Sequence, residues 1–209
     1  MADKYRDFDA LRKDNVYESD YHVLMGKGTS KVLFMTPHGG GIESGCTELC
    51  MFSAGKEHSY YTFEGWRSSG NTSLHITSTH FDEPNGIRLM KEADYTVSYH
   101  GYGDSNNQNT KIGGLDYELM ELIKANFEAV GIPCELEPQT SNIAGAEPSN
   151  IVNINRRGKG VQLEMSTVQR SMIFDTNTRA GRRTSMNDEF YKYMNAVVQA
   201  VETHVANNK

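Results

Sequence analysis

The 209-residue sequence is poor in cysteine, carries no excess of positive charge and contains no long apolar run. Its three cysteines, Cys46, Cys50 and Cys134, cannot all pair within one chain and show no CxxC spacing. That argues against a disulfide framework or a zinc knuckle and in favour of reduced thiols. Lys and Arg number 21 against 27 Asp and Glu, a formal net charge of -6, so the cationic footprint of a nucleic-acid binder is missing. No stretch reaches the roughly 18 apolar residues of a membrane span. The opening MADKYRDFDALRKDN lacks the apolar middle of a secretory signal. The expectation is a protein made in the cytoplasm, with neither membrane nor nucleic acid as partner. Repeats and low-complexity tracts are also absent, and 37% hydrophobic with 23% charged residues suits one domain over residues 1–209.

Apolar periodicity punctuated by Gly and Pro predicts alternating strands and helices, hence an α/β class. Residues 31–36 (KVLFMT) read as a strand ended by Pro37, followed by a Gly-rich turn and a helix over 43–52. Residues 74–77 and 95–99 read as strands, as do the segment opened by Pro133 and residues 161–165 (VQLEM). Residues 116–130 place Leu119, Leu122, Ile123 and Phe127 at helical spacing before Gly131, and 187–206 form a C-terminal helix. The polar stretches 101–114 and 139–150 read as long surface loops, a common home for function.

The chemistry concentrates in residues 36–48, TPHGGGIESGCTE, where His38 leaves a strand and Glu43 enters a helix start. On a continuous helix five residues would point the two side chains apart, but three glycines can take positive φ and fold them together. An imidazole and a carboxylate are two of the three protein ligands of a catalytic zinc. For the third, His80 (TSTHFDEP) and His100 (DYTVSYHGYGD) compete. His100 is favoured because it follows a strand, as His38 does, and ligands collect at the carboxyl ends of strands in open α/β sheets. His80 then faces substrate or orients a ligand. Each histidine could instead be an ordinary structural hydrogen-bonder, and His22, His58, His75 and His204 have no evident partners. Glu164, alone among apolar neighbours in VQLEMS, is the candidate general base; strand alternation could equally turn it to solvent.

The motifs PHGGGIESG, SLHITSTHFDEP, YTVSYHGYGD and GKGVQLEMS resemble, in order and spacing, those of the phage and bacillar poly-γ-glutamate hydrolases. The resemblance spans residues 36–166. It implies a single-domain mixed sheet flanked by helices, the zinc carboxypeptidase-like architecture. It also implies one Zn2+ per chain on His38, Glu43 and His100, Glu164 as catalytic glutamate, and poly-γ-glutamate cleaved internally by a monomer. Release by host lysis would bring such an enzyme to an extracellular polymer. Residues 1–30 and 167–209 align with no functional motif.

Other readings compete. HGGG also forms the oxyanion loop of α/β-hydrolase esterases, but no GxSxG elbow occurs, and Cys46 reads more readily as a small buried hydrophobe than as a nucleophile. A non-catalytic, zinc-stabilised polymer-binding module would call for a closed, Cys-rich site. Residues 151–190 hold seven arginines and lysines against four acids. They suit a polyglutamate chain, or form a solvated face. Asn155 and Arg156 in NINRRG are similar to the Asn-Arg pair with which carboxypeptidase-like enzymes hold a substrate carboxylate, although they follow His100 instead of preceding the last ligand.

Overall fold

Val32 and Phe34 face one side of strand β2 (Val32–Gly40) and Leu33 and Met35 the other, and all four are buried. A strand buried on both faces must lie inside a sheet covered on both sides. The computed structural model, which describes residues 3–208, has this layering. Seven strands lie in the order β1-β3-β2-β4-β7-β5-β6. They are β1 (Tyr21–Gly26), β2, β3 (Ser59–Gly65), β4 (Tyr95–Gly101), β5 (Thr110–Gly114), β6 (Cys134–Leu136) and β7 (Val161–Met165). β3, β2, β4 and β7 run parallel, β1 and β5 pair antiparallel with β3 and β7, and β6 is parallel to β5.

Helices α2 (Cys46–Ala54), α4 (Tyr117–Ala129) and α6 (Asp188–Asn207) build one core, where Leu49, Ile123, Phe127 and Val197 meet Val32, Phe34 and Tyr99. Helices α1 (Phe8–Asp14) and α3 (Pro84–Glu92) cover the other face, where Leu11 and Met90 meet Leu33, Met35 and Phe63. A short helix α5 (Thr167–Met172) follows β7. From β2 the chain moves outward to β3 and then crosses back to β4. The carboxyl ends of β2 and β4 therefore flank the point where strand order reverses, the usual place for a ligand crevice in such sheets.

The mixed sheet with flanking helices is the expected fold, and β7, α4 and α6 fall within a residue of their predicted bounds. Residues 74–77 are not a strand. A single 3₁₀ turn, Asn71–Leu74, leads into extended chain, where Leu74 and Ile76 are buried but the polar groups bond to side chains instead of a ladder: Ile76 O to His38 and Thr77 N to Asp3. β1, β3 and β5 are strands beyond those the sequence pattern predicts; β5 (TKIGG) lies inside the stretch that reads as a loop, its two glycines masking strand character.

The glycine segment behaves differently from expectation. β2 runs on through Gly40 with a bulge, since Thr36 pairs with Thr62 and Gly39 with Glu64, so Pro37 and His38 oppose Phe63 alone. Pro37 has no N–H to give the ladder, and the extra residue re-aims His38. Only Gly40 of the three glycines has positive φ, 65°. Gly39 and Gly41 are needed for room, because a Cβ there would collide with Thr47 and with Asn71. Gly40→Ala, which is strained in φ and would put a methyl carbon 2.5 Å from Gly65 O, is expected to cost about 2 kcal/mol and lower Tm by roughly 4–8 °C. Gly103→Ala, which meets open space, should leave Tm unchanged. An unaltered melting midpoint in Gly40→Ala would refute this account of the hinge.

Candidate active site

The bulge delivers His38, and a tight turn delivers Glu43. Glu43 N donates to His38 O at 2.8 Å, folding the chain back so that the carboxylate lies over the imidazole five residues earlier. Helix α2 starts only afterwards, at Cys46, with Gly45 as N-cap at φ 96°, so Glu43 belongs to the turn and not to the helix. The result is a short contact, His38 Nδ1 to Glu43 Oε1, at 3.0 Å. His100, at the end of β4, completes the group, its Nδ1 lying 3.1 Å from His38 Nδ1 and 3.7 Å from Glu43 Oε2. Gly101 N donates to that second carboxylate oxygen at 2.8 Å.

The tautomer of His38 follows from its outer partner. His38 Nε2 stands 2.9 Å from Ile76 O, which can only accept, so Nε2 carries the hydrogen and neutral His38 has its lone pair on Nδ1. His100 Nε2 bonds Ser98 Oγ at 2.7 Å and leaves its Nδ1 facing inward too. When Ser98 Oγ accepts from Nε2–H of His100, two lone pairs and a carboxylate converge, which is an arrangement for a cation. Their spacing of 3.0–3.7 Å brackets the separation of about 3.3 Å between ligands of a tetrahedral ion with bonds of 2.0–2.1 Å. Two imidazoles, a carboxylate and an open position fit zinc. Without a metal, a proton serves. Burial opposes charge on His38, but the Glu43 carboxylate outweighs it and raises the imidazole. The same contact holds Glu43 below the usual carboxylate range against its own burial. Burial pushes His100 down to about 3.

Glu164 is the register neighbour of His100 across the β4–β7 pair and is buried with the rest of its strand, so alternation does not turn it to solvent. Burial first, and the Glu43 charge second, push its carboxyl well above the ordinary range. Gln162 Nε2 donates to Glu164 Oε1 at 2.8 Å and Asn150 Nδ2 donates to Gln162 Oε1 at 3.1 Å, fixing the carboxyl in place. His38, Glu43, His100 and Glu164 all line one cavity of about 550 Å³, walled by residues 77–79 on one side and 139–147 on the other.

The remaining expected residues lie elsewhere. His80 is exposed and outside the cavity lining. Asn155 and Arg156 precede β7 and so sit at its opposite end. Asn155 Nδ2 donates to Thr96 Oγ1 at 2.7 Å and Lys159 O at 2.6 Å, and Arg156 pairs with Asp94 at 3.3 Å beside a separate cleft. The Asn-Arg likeness is thus not matched by position. Most of the basic segment is also committed internally: Arg157 to Asp116, Arg182 to Glu48, Arg183 to Glu64 and Arg179 over the Trp66 ring. Cys46 is wholly buried and burial raises its thiol, unlike an activated nucleophile.

His75 is the site residue that sequence reasoning passed over. Its ring stacks on His38 with centroids 3.9 Å apart, and its Nε2 lies 4.0 Å from Glu43 Oε1, so His38, Glu43 and His75 form a second group with ligand atoms within 4.8 Å of one another. His100 Nδ1 stands nearer to the Glu43 carboxylate than His75 Nε2 does, 3.7 against 4.0 Å, and 3.1 Å from His38 Nδ1, which makes His100 the better placed third ligand, while Asp3 Oδ1 holds His75 Nδ1 at 2.7 Å. Hydrogen bonds from Thr77 outweigh the effect of burial on Asp3 and keep it ionised. The partners are 72 residues apart in sequence, so no local pattern betrays them. An ionised Asp3 requires Nδ1–H on neutral His75. Long-range ¹H–¹⁵N spectra should show that tautomer in the wild type and the Nε2–H form in Asp3→Asn; an Nε2–H ring in the wild type would contradict the pairing.

The sequence matches the poly-gamma-glutamate hydrolase family over residues 5–196. Among curated Bacillus subtilis (strain 168) proteins, the SPbeta prophage-derived protein YoqZ is 41% identical over 204 residues, 98% of this chain and 73% of that protein. YmaC is 40% identical over 97% of this chain and 85% of its own length. Among solved structures, a bacteriophage poly-gamma-glutamate hydrolase superposes with a TM-score of 0.93 at 36% identity, covering 98% of this chain and 99% of that one. The zinc-free form of YndL gives 0.92 at 35% identity, covering 97% and 99%. With these matches running nearly end to end over the same fold, the chain belongs to the poly-γ-glutamate hydrolase family.

Proposed function

We propose that this protein is a zinc-dependent hydrolase that opens γ-glutamyl amide bonds within poly-γ-glutamate, with one zinc per chain on His38, Glu43 and His100 and Glu164 as general base. The observation that carries the reading is the convergence of two imidazole Nδ1 atoms, 3.1 Å apart, on the Glu43 carboxylate, in the cavity that Glu164 also lines. Family membership supports the substrate, and the zinc-free form in which YndL was solved supports the metal.

Zinc bound there supplies Lewis acidity to a carbonyl oxygen and makes a water more acidic. Glu164 takes a proton from the attacking water as the carbon–oxygen bond forms. It returns that proton to the leaving nitrogen as the carbon–nitrogen bond breaks, so the carboxylate ends as it began. Gln162 holds Oε1, leaving Oε2 for this transfer. Ile76 O and Ser98 Oγ keep both imidazoles aimed inward.

Among the described residues no Lys or Arg lines the cavity, whereas Thr77, Ser78, Thr140, Ser141 and Asn142 do. Neutral hydroxyls and amides can hydrogen-bond the α-carboxylates that repeat along the polymer. Without a cation to hold a chain end, the lining favours internal bonds. Action on polymer outside the producing cell, after lysis, accords with the bacteriophage and prophage origin of the relatives.

Chelation should abolish activity, and one equivalent of zinc should restore it. Glu164→Gln keeps the shape and removes the base, so kcat should fall by about two to four orders of magnitude with zinc still bound; near-normal turnover would sink the assignment. Early products should be fragments of intermediate length, and release of glutamate monomers from the outset would overturn internal cleavage. Glu164 works only when ionised, and its carboxyl is raised. As pH falls, kcat/KM should therefore be lost along an acid limb lying above the ordinary glutamate value of about 4.3. A limb at or below that value would contradict the environment described.

A further inference from the structure

Arg157, Arg182 and Arg183 each hold a buried carboxylate. Arg170, on α5, forms no ion pair among the described residues and spends its guanidinium on backbone. Its Nε donates to Met165 O at 3.2 Å, Nη1 to Ser44 O at 3.2 Å and Nη2 to Tyr102 O at 3.4 Å. Each of those carbonyls closely follows a residue of the site. Ser44 comes directly after Glu43, Tyr102 two residues after His100, and Met165 directly after Glu164. Ser44 and Tyr102 lie 126 and 68 residues from Arg170 in sequence, so one planar fork ties the turn that carries Ser44 to the ends of β4 and β7, which the ladder and Tyr102 N donating to Met165 O at 2.9 Å already hold to each other. The fork passes over Gly101, where a Cβ would collide with its Nε, and the amide of that same Gly101 donates to Glu43 Oε2 at 2.8 Å. A partly buried guanidinium hydrogen-bonded only to peptide carbonyls gives up hydration without the return of a contact ion pair, and the rigid, divergent donors of arginine are what three separate carbonyls require.

We infer that Arg170 is a positioning residue of the active site. Its guanidinium locks the Glu43 turn and the ends of β4 and β7 into one geometry, which keeps the three ligand atoms at metal-binding spacing and Glu164 beside them. The inference rests on the metal-centre reading above. It assigns to Arg170 a role that the polymer-facing reading of the basic segment does not contain.

Arg170→Lys retains charge and length but has one ammonium in place of a fork, and Arg170→Gln removes the charge. With the far-UV spectrum of the folded protein kept, both should bind zinc about ten-fold or more weakly in competition with a chelator. Both should shift the d–d bands of the cobalt-substituted site and lower kcat about ten-fold or more while KM changes by less than about two-fold. Methylguanidinium should restore part of the lost zinc affinity to Arg170→Ala. Wild-type zinc affinity, cobalt spectrum and kcat in Arg170→Lys and Arg170→Gln would overturn the inference. If the wild-type protein itself takes up no zinc, the metal reading fails and the clamp is judged in the metal-free protein. There Arg170→Lys should speed hydrogen exchange of the Gly101 amide about ten-fold, with core amides unaffected, and an unchanged rate would overturn it.

Discussion

One hydrogen bond organises the site: the amide of Glu43 donating to the carbonyl of His38 at 2.8 Å. It closes a turn that can form only because the bulge at Pro37 and His38 redirects the strand and because residues 39–41 carry no side chains. Thr47, Thr62 and Asn71 occupy the space that Cβ atoms would need, so the turn is packed and not merely permitted. A carboxylate is thereby held against an imidazole inside a fold where both are buried. Such a pair is stable only with a proton or a metal ion between them.

Charge has been distributed to serve that pair. The arginines of the 3₁₀ turn Arg182–Thr184 neutralise Glu48 and Glu64 beneath the glycine segment, and Arg182 also donates to Gly40 O at 3.1 Å. Glu64 Oε2 remains buried without a partner, a cost accepted within this network. The cavity keeps Glu43, Glu147 and Glu164 with neutral hydroxyls and amides. The cationic residues of 151–190 act mainly as internal counter-charges.

The cavity wall and the general-base candidate share their supports. Gln162 donates to Glu164 Oε1 and to Ile143 O, while Asn153 holds the carbonyls of Gly145 and Glu147. Placement of the 139–147 segment and orientation of the carboxyl are therefore mechanically linked. A change in that loop would be felt at the Glu164 carboxyl through the amide of Gln162.

The sequence by itself determined the elements whose physics is local. The apolar run of VQLEM makes β7, the 3.6-residue spacing in 117–129 makes α4, and a histidine followed by three glycines marks the candidate site. The order of His38, Glu43, His100 and Glu164 along the chain also made their convergence arguable, since strand ends meet at a reversal of strand order. Tertiary structure alone decided the rest. Asp3 meets His75 across 72 residues, Arg170 meets Ser44 across 126, and Arg156 was carried to the opposite end of β7 although it lies only eight residues before Glu164. Periodicity reports which way a side chain faces on its own element. Which distant carbonyl or carboxylate it meets there is fixed by how the sheet and its helices pack.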